Sequence, residues 1–482
     1  MNLFHLKILP SSTVYHLREG GQCSNFANRV AVCSYRMCKL TMFSISLTLW
    51  FTVSAAEASL PEWLTRPLSM GDALNTALAQ NATILKANSD LAAAHGMAVQ
   101  TRAVALPQLQ ASGQYKDTDP NAVEPLGTMA QPHQNWNAGL QILQNVYTGG
   151  KMVAAIRSAT AMQQQALAVY RTVVADTLLQ VRLAYYDVLL AAQQITVREA
   201  SVKLLQQELT DQQHRFKAGA VPHFNVLRAE VTLANEQPFL IQARNNYRIA
   251  KNNLANLLGY NLPHEIWEDI PLNLTESFNL EPFAVNLPDA IQQALAQRTE
   301  LTVARKNVDL QKLNVVSAKA GYQPTVQVFA GYDWFNTKAT QPVELDHDIH
   351  GWNAGAQLIW NIFDGALTVG KVTQAKALYR KSQTELVDQS RQIELAVRTA
   401  YSSFIQAQET LVSQAKVQEQ ADEVLREAQV QAAAGTGTQL DVLNAETSLT
   451  QARMTQFQAQ HDYVAARARF ERALGTDLAP LK

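Results

Sequence analysis

Residue types suited to chemistry are few in this chain, and most of them fail on spacing. Its three cysteines, Cys23, Cys33 and Cys38, all lie near the N-terminus, so no disulfide or thiolate metal site can form in the rest of the sequence. His347-Asp348-Ile349-His350 offers imidazole and carboxylate ligands, but no second ligand pair accompanies it and the segment reads as a solvated polar loop. Nucleophile elbows, phosphate-cradling glycine loops and Cys/His zinc spacings are absent. Neither catalysis nor a cofactor nor a metal is expected. Asp441 has the clearest local setting: Thr438-Gln439-Leu440-Asp441 has the spacing of a capping box, and a carboxylate in a first helical turn is favoured by the helix dipole. Arg228 shares a first turn with Asn225 and either lines that turn or pairs with Glu230.

These residues sit in a chain written twice. Asp72-Ala73-Leu74 corresponds to Asp289-Ala290-Ile291, Trp136-Asn137-Ala138-Gly139 to Trp352-Asn353-Ala354-Gly355, and Leu258-Gly259 to Leu474-Gly475. A duplication accounts for this, and it overrides any domain count drawn from the 482-residue length. Copy one, 68–259, reads as a helix over 68–106, strands over 107–116 and 135–146, a long helix over 149–218 and a helix over 222–258. Copy two, 288–475, repeats the order: helix 288–323, strands 324–334 and 351–363, long helix 365–434, helix 438–474. A linker over 260–287 joins them, and 476–482 is a tail.

The strand segments alternate apolar and polar residues, as Leu109, Ala111, Gly113 and Tyr115 do against Gln108, Gln110, Ser112 and Gln114. The helical segments show apolar steps averaging 3.5, the period of a left-handed supercoil. Gly219 and Gly435 suit the left-handed residue that ends a helix, and Pro222 suits the first turn of the next. Ser69 with Asp72 three residues on resembles another capping box.

Composition narrows the class. Hydrophobic residues make up 47% and charged residues 17%, with a net charge of -1, so the chain has no polycationic surface to attract nucleic acid. Lys39, the apolar run Phe43 to Val53 and the small-residue stretch Ser54 to Ala58 form the three parts of a secretory signal. The segment 1–58 is therefore expected to be a removable leader, with Met37 or Met42 an alternative start. Strands edged by Tyr115, Trp136, Tyr332, Trp334, Trp352 and Trp360 are what a transmembrane β-barrel requires. Four strands are too few to close one, so several chains must share it.

The turn Gly219-Ala220-Val221-Pro222-His223-Phe224-Asn225-Val226-Leu227-Arg228-Ala229-Glu230 and its twin Gly435-Thr436-Gly437-Thr438-Gln439-Leu440-Asp441-Val442-Leu443-Asn444-Ala445-Glu446 resemble TolC-type outer-membrane efflux proteins, the outer membrane factors. So do Val146-Tyr147-Thr148-Gly149-Gly150 and Ile362-Phe363-Asp364-Gly365, where strands pass into long helices. The resemblance spans Leu68 to Gly475. It implies a mainly α fold with a barrel portion: a homotrimer with one shared barrel of 12 strands in outer-membrane lipid and a coiled-coil tunnel in the periplasm. It also implies the exit duct of a tripartite efflux or type I secretion system, docked at the two turns to a periplasmic adaptor and driven by an inner-membrane pump of RND or ABC type. A soluble periplasmic coiled-coil adaptor or surface scaffold is the rival reading.

By the same resemblance Asp441 matches an acidic pore ring, as a cap or a ring or both, with Asn225, Asn444 and Arg228 as further constriction candidates. Asn225 is its counterpart in copy one. Ala432 and Gly437 stand where the best-known members carry an aromatic residue and an arginine. Asn145 and Asn361 replace the usual proline before the exit from the barrel. A gate so built is expected to be unequal between the copies.

Overall fold

The structure, a computed structural model, describes residues 67–119, 133–260, 269–339 and 345–476, all within one unit, Leu60–Lys482. The expected leader and residues 477–482 of the tail lie outside the described residues. Copy one runs α1 (Met70–Gln80), α2 (Ala82–Ala103), β1 (Gln108–Asp117), β2 (Gln134–Tyr147), α3 (Lys151–Lys217) and α4 (His223–Leu257). Copy two runs α5 (Leu287–Gln297), α6 (Thr299–Lys319), a short 3-10 turn (Ala320–Tyr322), β3 (Thr325–Ala339), β4 (Leu345–Ile359), α7 (Leu367–Ala433) and α8 (Gln439–Leu474).

The single helices expected over 68–106 and 288–323 are each divided. Asn81 leaves helical geometry with ψ 125°, and its Oδ1 accepts from the backbone N–H groups of Thr83 (2.8 Å) and Ile84 (3.3 Å). One side chain thus ends α1 and caps α2, satisfying donors that a helix start leaves open. Its Nδ2 donates to the Leu257 carbonyl at 2.6 Å, tying the break to α4. Arg298 makes the equivalent break in copy two with ψ 125° and no cap of its own; instead its guanidinium donates to Glu300 at 2.7 and 3.1 Å in the first turn of α6. The Leu-Gly pairs now have a reason: Gly259, at φ +83°, lies where a Cβ would strike the Gln80 carbonyl, and Gly475, at φ +75°, lies where one would meet Arg298 at 3.0 Å.

The strands form one antiparallel sheet in the order β1-β2-β3-β4. Its register places Tyr115 opposite Trp136, Ala111 opposite Leu140, Leu140 opposite Tyr332, and Tyr332 opposite Trp352. Directly opposed residues share a face, so the alternating apolar sets join into one surface across all four strands. It runs about 27 Å along β3 from Trp334 to Val326, at roughly 3.4 Å per residue.

Two strand expectations are corrected. In copy two β3 continues to Ala339 and β4 begins at Leu345, so His347, Asp348 and His350 belong to a strand, not a loop. Polar cross-strand pairs carry the ladder that far: Lys338 with Asp346 at 3.1 Å, Asn336 with Asp346 at 2.7 Å, Tyr332 with His350 at 2.8 Å. At its other end β4 stops at Ile359, short of the expected 363.

Helices α3 and α7 each span 67 residues, about 100 Å at roughly 1.5 Å per residue. Midway along them sit two matched cores. In copy one Leu178, Val181, Tyr185 and Val188 of α3 pack with Leu74, Leu254 and Leu258; in copy two Ile393 and Val397 of α7 pack with Leu301, Phe470 and Leu474. The linker is structural as well as connecting. Ile270 and Leu272 are buried in the first core, Leu68 N–H donates to Asn273 O at 2.7 Å, and Phe283 lies edge-on to Phe404 and Phe470. Buried Lys251 fastens the belt, donating to Ile270 O at 3.0 Å and pairing with Asp269.

Candidate functional site

The hairpin tips, where α3 turns into α4 and α7 into α8, gather most of the residues that sequence singles out. At the first tip Gly219, at φ +74°, donates to Phe216 O and Ala220 to Arg215 O, both at 2.9 Å. At the second Gly435, at φ +77°, donates to Ala432 O at 3.3 Å and Thr436 to Gln431 O at 3.0 Å. These paired bonds recapture the last helical carbonyls. Pro222 is the N-cap of α4 and offers no side-chain acceptor. Thr438 is the N-cap of α8 in a complete capping box, with Asp441 Oδ2 accepting from Thr438 N (2.9 Å) and Thr438 Oγ1 (2.6 Å). Those bonds from the Thr438 hydroxyl and backbone hold the exposed Asp441 carboxyl below its ordinary range, so it is charged at neutral pH.

Asn444, one turn on, is also exposed and shares that face of α8 with Asp441. Of its two readings Arg228 follows the one along the turn: its guanidinium lies 4.9 Å over the Phe224 ring in a cation–π contact. Asn225 and Val221 of the first tip meet Gly435, Gly437 and Thr438 of the second in one cleft, which Asp441, Arg228 and Asn444 do not line. A Cβ at Gly437 would come within 3.0 Å of Gln431 and 3.1 Å of the Ala432 amide, so this loop is closed around a glycine.

At the other end of the long helices the chain leaves the sheet through left-handed residues. Gly149 and Gly150 have φ of +62° and +86°; Gly365 and Ala366 both have +67°. A Cβ on Gly149 would approach the Ala320 carbonyl to 2.8 Å, so glycine is required there. In copy two Asp364 accepts from the Thr368 backbone at 2.9 Å, as Thr148 Oγ1 accepts from Met152 at 3.0 Å in copy one. Tyr115, Trp136, Trp334 and Trp352 are exposed on the apolar face, with Tyr332 packed 4.4 Å from Trp334. Trp360 lies past the end of β4 and donates to Tyr322 O at 3.2 Å.

The groups that sequence reasoning missed join the copies to one another. Arg472 of α8, 6% exposed, bridges Asp176 of α3 (2.8 Å) and Glu300 of α6 (2.7 Å), and Arg182 of α3 pairs with Glu471 of α8 at 2.8 Å. Burial opposes the charge on Glu300, but hydrogen bonds from Arg298 and the Arg472 charge bring it down to about 2. His461 of α8 contacts Asp187 of α3 at 2.9 Å and Asp462 at 3.0 Å; burial works against its charge, yet both carboxylates hold it above the ordinary range. Partners so far apart in sequence carry no local signal.

Both copies match known proteins. The model of the family described as outer membrane efflux protein matches residues 73–260 and 290–476. The chain is 24% identical over 420 residues to outer membrane protein TolC of Escherichia coli, covering 82% of this chain and 80% of that one. It is 27% identical over 303 residues to the alkaline protease secretion protein AprF of Pseudomonas aeruginosa, covering 62% and 61%. Its fold superposes on the Campylobacter jejuni CmeC outer membrane channel with a TM-score of 0.73 at 15% identity, over 84% of this chain and 85% of that one. With both repeats matched, the chain belongs to the outer membrane efflux protein family.

Proposed function

We propose that the protein is the outer-membrane exit duct of an efflux or secretion machine, a passive conduit closed by three copies of the chain. One observation carries most of this reading. The four-stranded sheet has a continuous exposed apolar face, and its edge strands β1 and β4 have no strand partner among the described residues. In hydrocarbon such edges leave backbone N–H and C=O groups unpaired, at several kcal/mol each. Pairing β4 of one copy with β1 of the next removes both edges, and three copies supply a closed barrel.

In this reading the apolar face meets lipid, its aromatics lie toward the lipid headgroups, and the leader over 1–58 exports the chain. Helices α3 and α7, with the shorter helices beside them, continue the barrel as a tunnel about 100 Å long in the periplasm. The tips are the periplasmic mouth. There Gly219, Ala220, Val221, Pro222, Gly435, Thr436, Gly437 and Thr438 meet a periplasmic adaptor, and an inner-membrane pump supplies the energy. Asp441, with Asn444 beside it, forms the charged ring of the resting pore, and Asn225 leaves the first copy's position neutral. No catalytic step belongs to this role, and cargo is chosen by the pump.

Fractionation with bilayer recording tests the proposal. The mature protein should sediment with outer membranes and insert into planar bilayers as a conducting pore. Recovery in the soluble periplasm, as a coiled-coil adaptor would behave, overturns it.

A further inference from the structure

Between α3 of the first copy and α8 of the second, just inside the two tips, lies a cleft of about 570 Å³. Glu446 lines it at 5% exposure, and its Oε2 has no hydrogen-bond partner among the described residues. Gln212 lines it at 4% exposure with Oε1 likewise unpartnered, since its amide Nε2 is spent on Glu208 at 2.8 Å. Buried acceptors in folded proteins are almost always paired, and a buried carboxylate is the costliest to leave without a donor.

The wall holds one unpartnered buried amide, Gln439, about two turns from Glu446 along α8, with both its Nε2 and its Oε1 unpaired among the described residues. The other charged groups of the lining are Glu208, Asp211 and Arg215, all from α3, with Asp211 and Arg215 both exposed; α4 and α7 contribute only uncharged residues to the lining. Three carboxylates against one guanidinium leave the lining with excess negative charge when Glu446 is ionised. A metal ion would need several oxygens at close and regular distances, and among the described residues no group of three His, Cys, Asp or Glu is placed to hold one. An ammonium group asks less: acceptors for its N–H bonds and a negative surrounding potential.

We propose that this cleft binds an organic cation of the alkylammonium class, which donates to Glu446 Oε2 and Gln212 Oε1 within the negative potential of Glu208 and Asp211. The site lies inside one chain, so it stands apart from the shared-barrel reading. Burial and the facing Glu208 carboxylate push Glu446 up to about 7. Below that pH the carboxyl is neutral and the attraction is weaker; above it the charge is present and the cation is held.

Putrescine is the probe, titrated against the full-length protein in detergent and followed by saturation-transfer NMR. Binding should saturate and tighten about tenfold between pH 6 and pH 8, following ionisation of a group near 7. E446Q should weaken it about tenfold at pH 8 and flatten the pH profile, while D309N, at an exposed position on α6 outside the cleft, leaves it unchanged. The same ammonium could arrive as a lysine side chain of a docked protein. A parallel titration with Nα-acetyl-lysine amide separates the sources, tighter binding of that compound assigning the site to a protein side chain. Absence of saturable binding by either probe, equal binding by E446Q with its helical content intact, or loss in D309N alone would each overturn the proposal.

Discussion

Asp441 carries two roles on one side chain, and they can be separated. Its carboxylate accepts from Thr438 within a capping box and, in the proposed trimer, adds a negative charge to the mouth of the pore. Asp441→Ala should raise single-channel conductance and weaken block by multivalent cations. Asp441→Asn keeps an acceptor for Thr438 but drops the charge, so it should reproduce the conductance change with little loss of stability; unchanged conductance in both removes Asp441 from the gate. At the barrel exit Ala366 holds a left-handed φ of +67° where its twin is Gly150, at a cost of roughly 1 kcal/mol. Ala366→Gly should therefore leave stability unchanged or raise it by up to about 1 kcal/mol, read as a higher midpoint in thermal unfolding. Thr438-x-x-Asp441 was legible because a capping box is local. The Arg228 stack on Phe224 and the isolation of Glu446 were not, because each depends on how a side chain packs.

The elements were legible wherever periodicity decides them, and misread where one side chain interrupts it. Gln80-Asn81-Ala82 holds no glycine or proline and apolar residues continue on both sides, so the one local hint is Asn81 itself, a residue type favoured at helix starts. The break appears only when Asn81 finds the Leu257 carbonyl and the open N–H groups of α2. Asn81→Ala should cost about 1–2 kcal/mol through loss of the cap, measured by denaturant unfolding. In β4, polar residues that looked like a loop stay in the ladder because Lys338, Asn336 and Tyr332 answer them across the strands. Between elements, Glu300 gives a pH signature. Its folded value of about 2 lies below the ordinary carboxyl value, so its contribution is complete above about pH 4.5 and is lost as pH falls through about 2, at most about 3 kcal/mol. Glu300→Gln should flatten the acid limb of the stability curve over that window. An unchanged acid limb contradicts the role given to the Arg472 bridge.

At the scale of the molecule the duplication was plain in the sequence, and the matched family segments, 73–260 and 290–476, fall on the two copies. The joining of the copies was not legible. Arg472 reaches Asp176 and Glu300, Arg182 reaches Glu471, and His461 reaches Asp187, all between the copies or from α8 back to α6 of its own copy. Among its described residues one chain still presents two open strand edges on an apolar sheet, and the proposed duct depends on other copies closing them. All cysteines lie within the expected leader, so introduced pairs can be read cleanly. The most direct test places cysteines at Ala111 on β1 and Ala354 on β4, adds a flexible bis-maleimide to intact outer membranes, and follows the products by denaturing gel. Three chains sharing one barrel should give covalent dimers and trimers and nothing larger. Monomers alone, or a ladder continuing beyond three, would contradict the shared barrel.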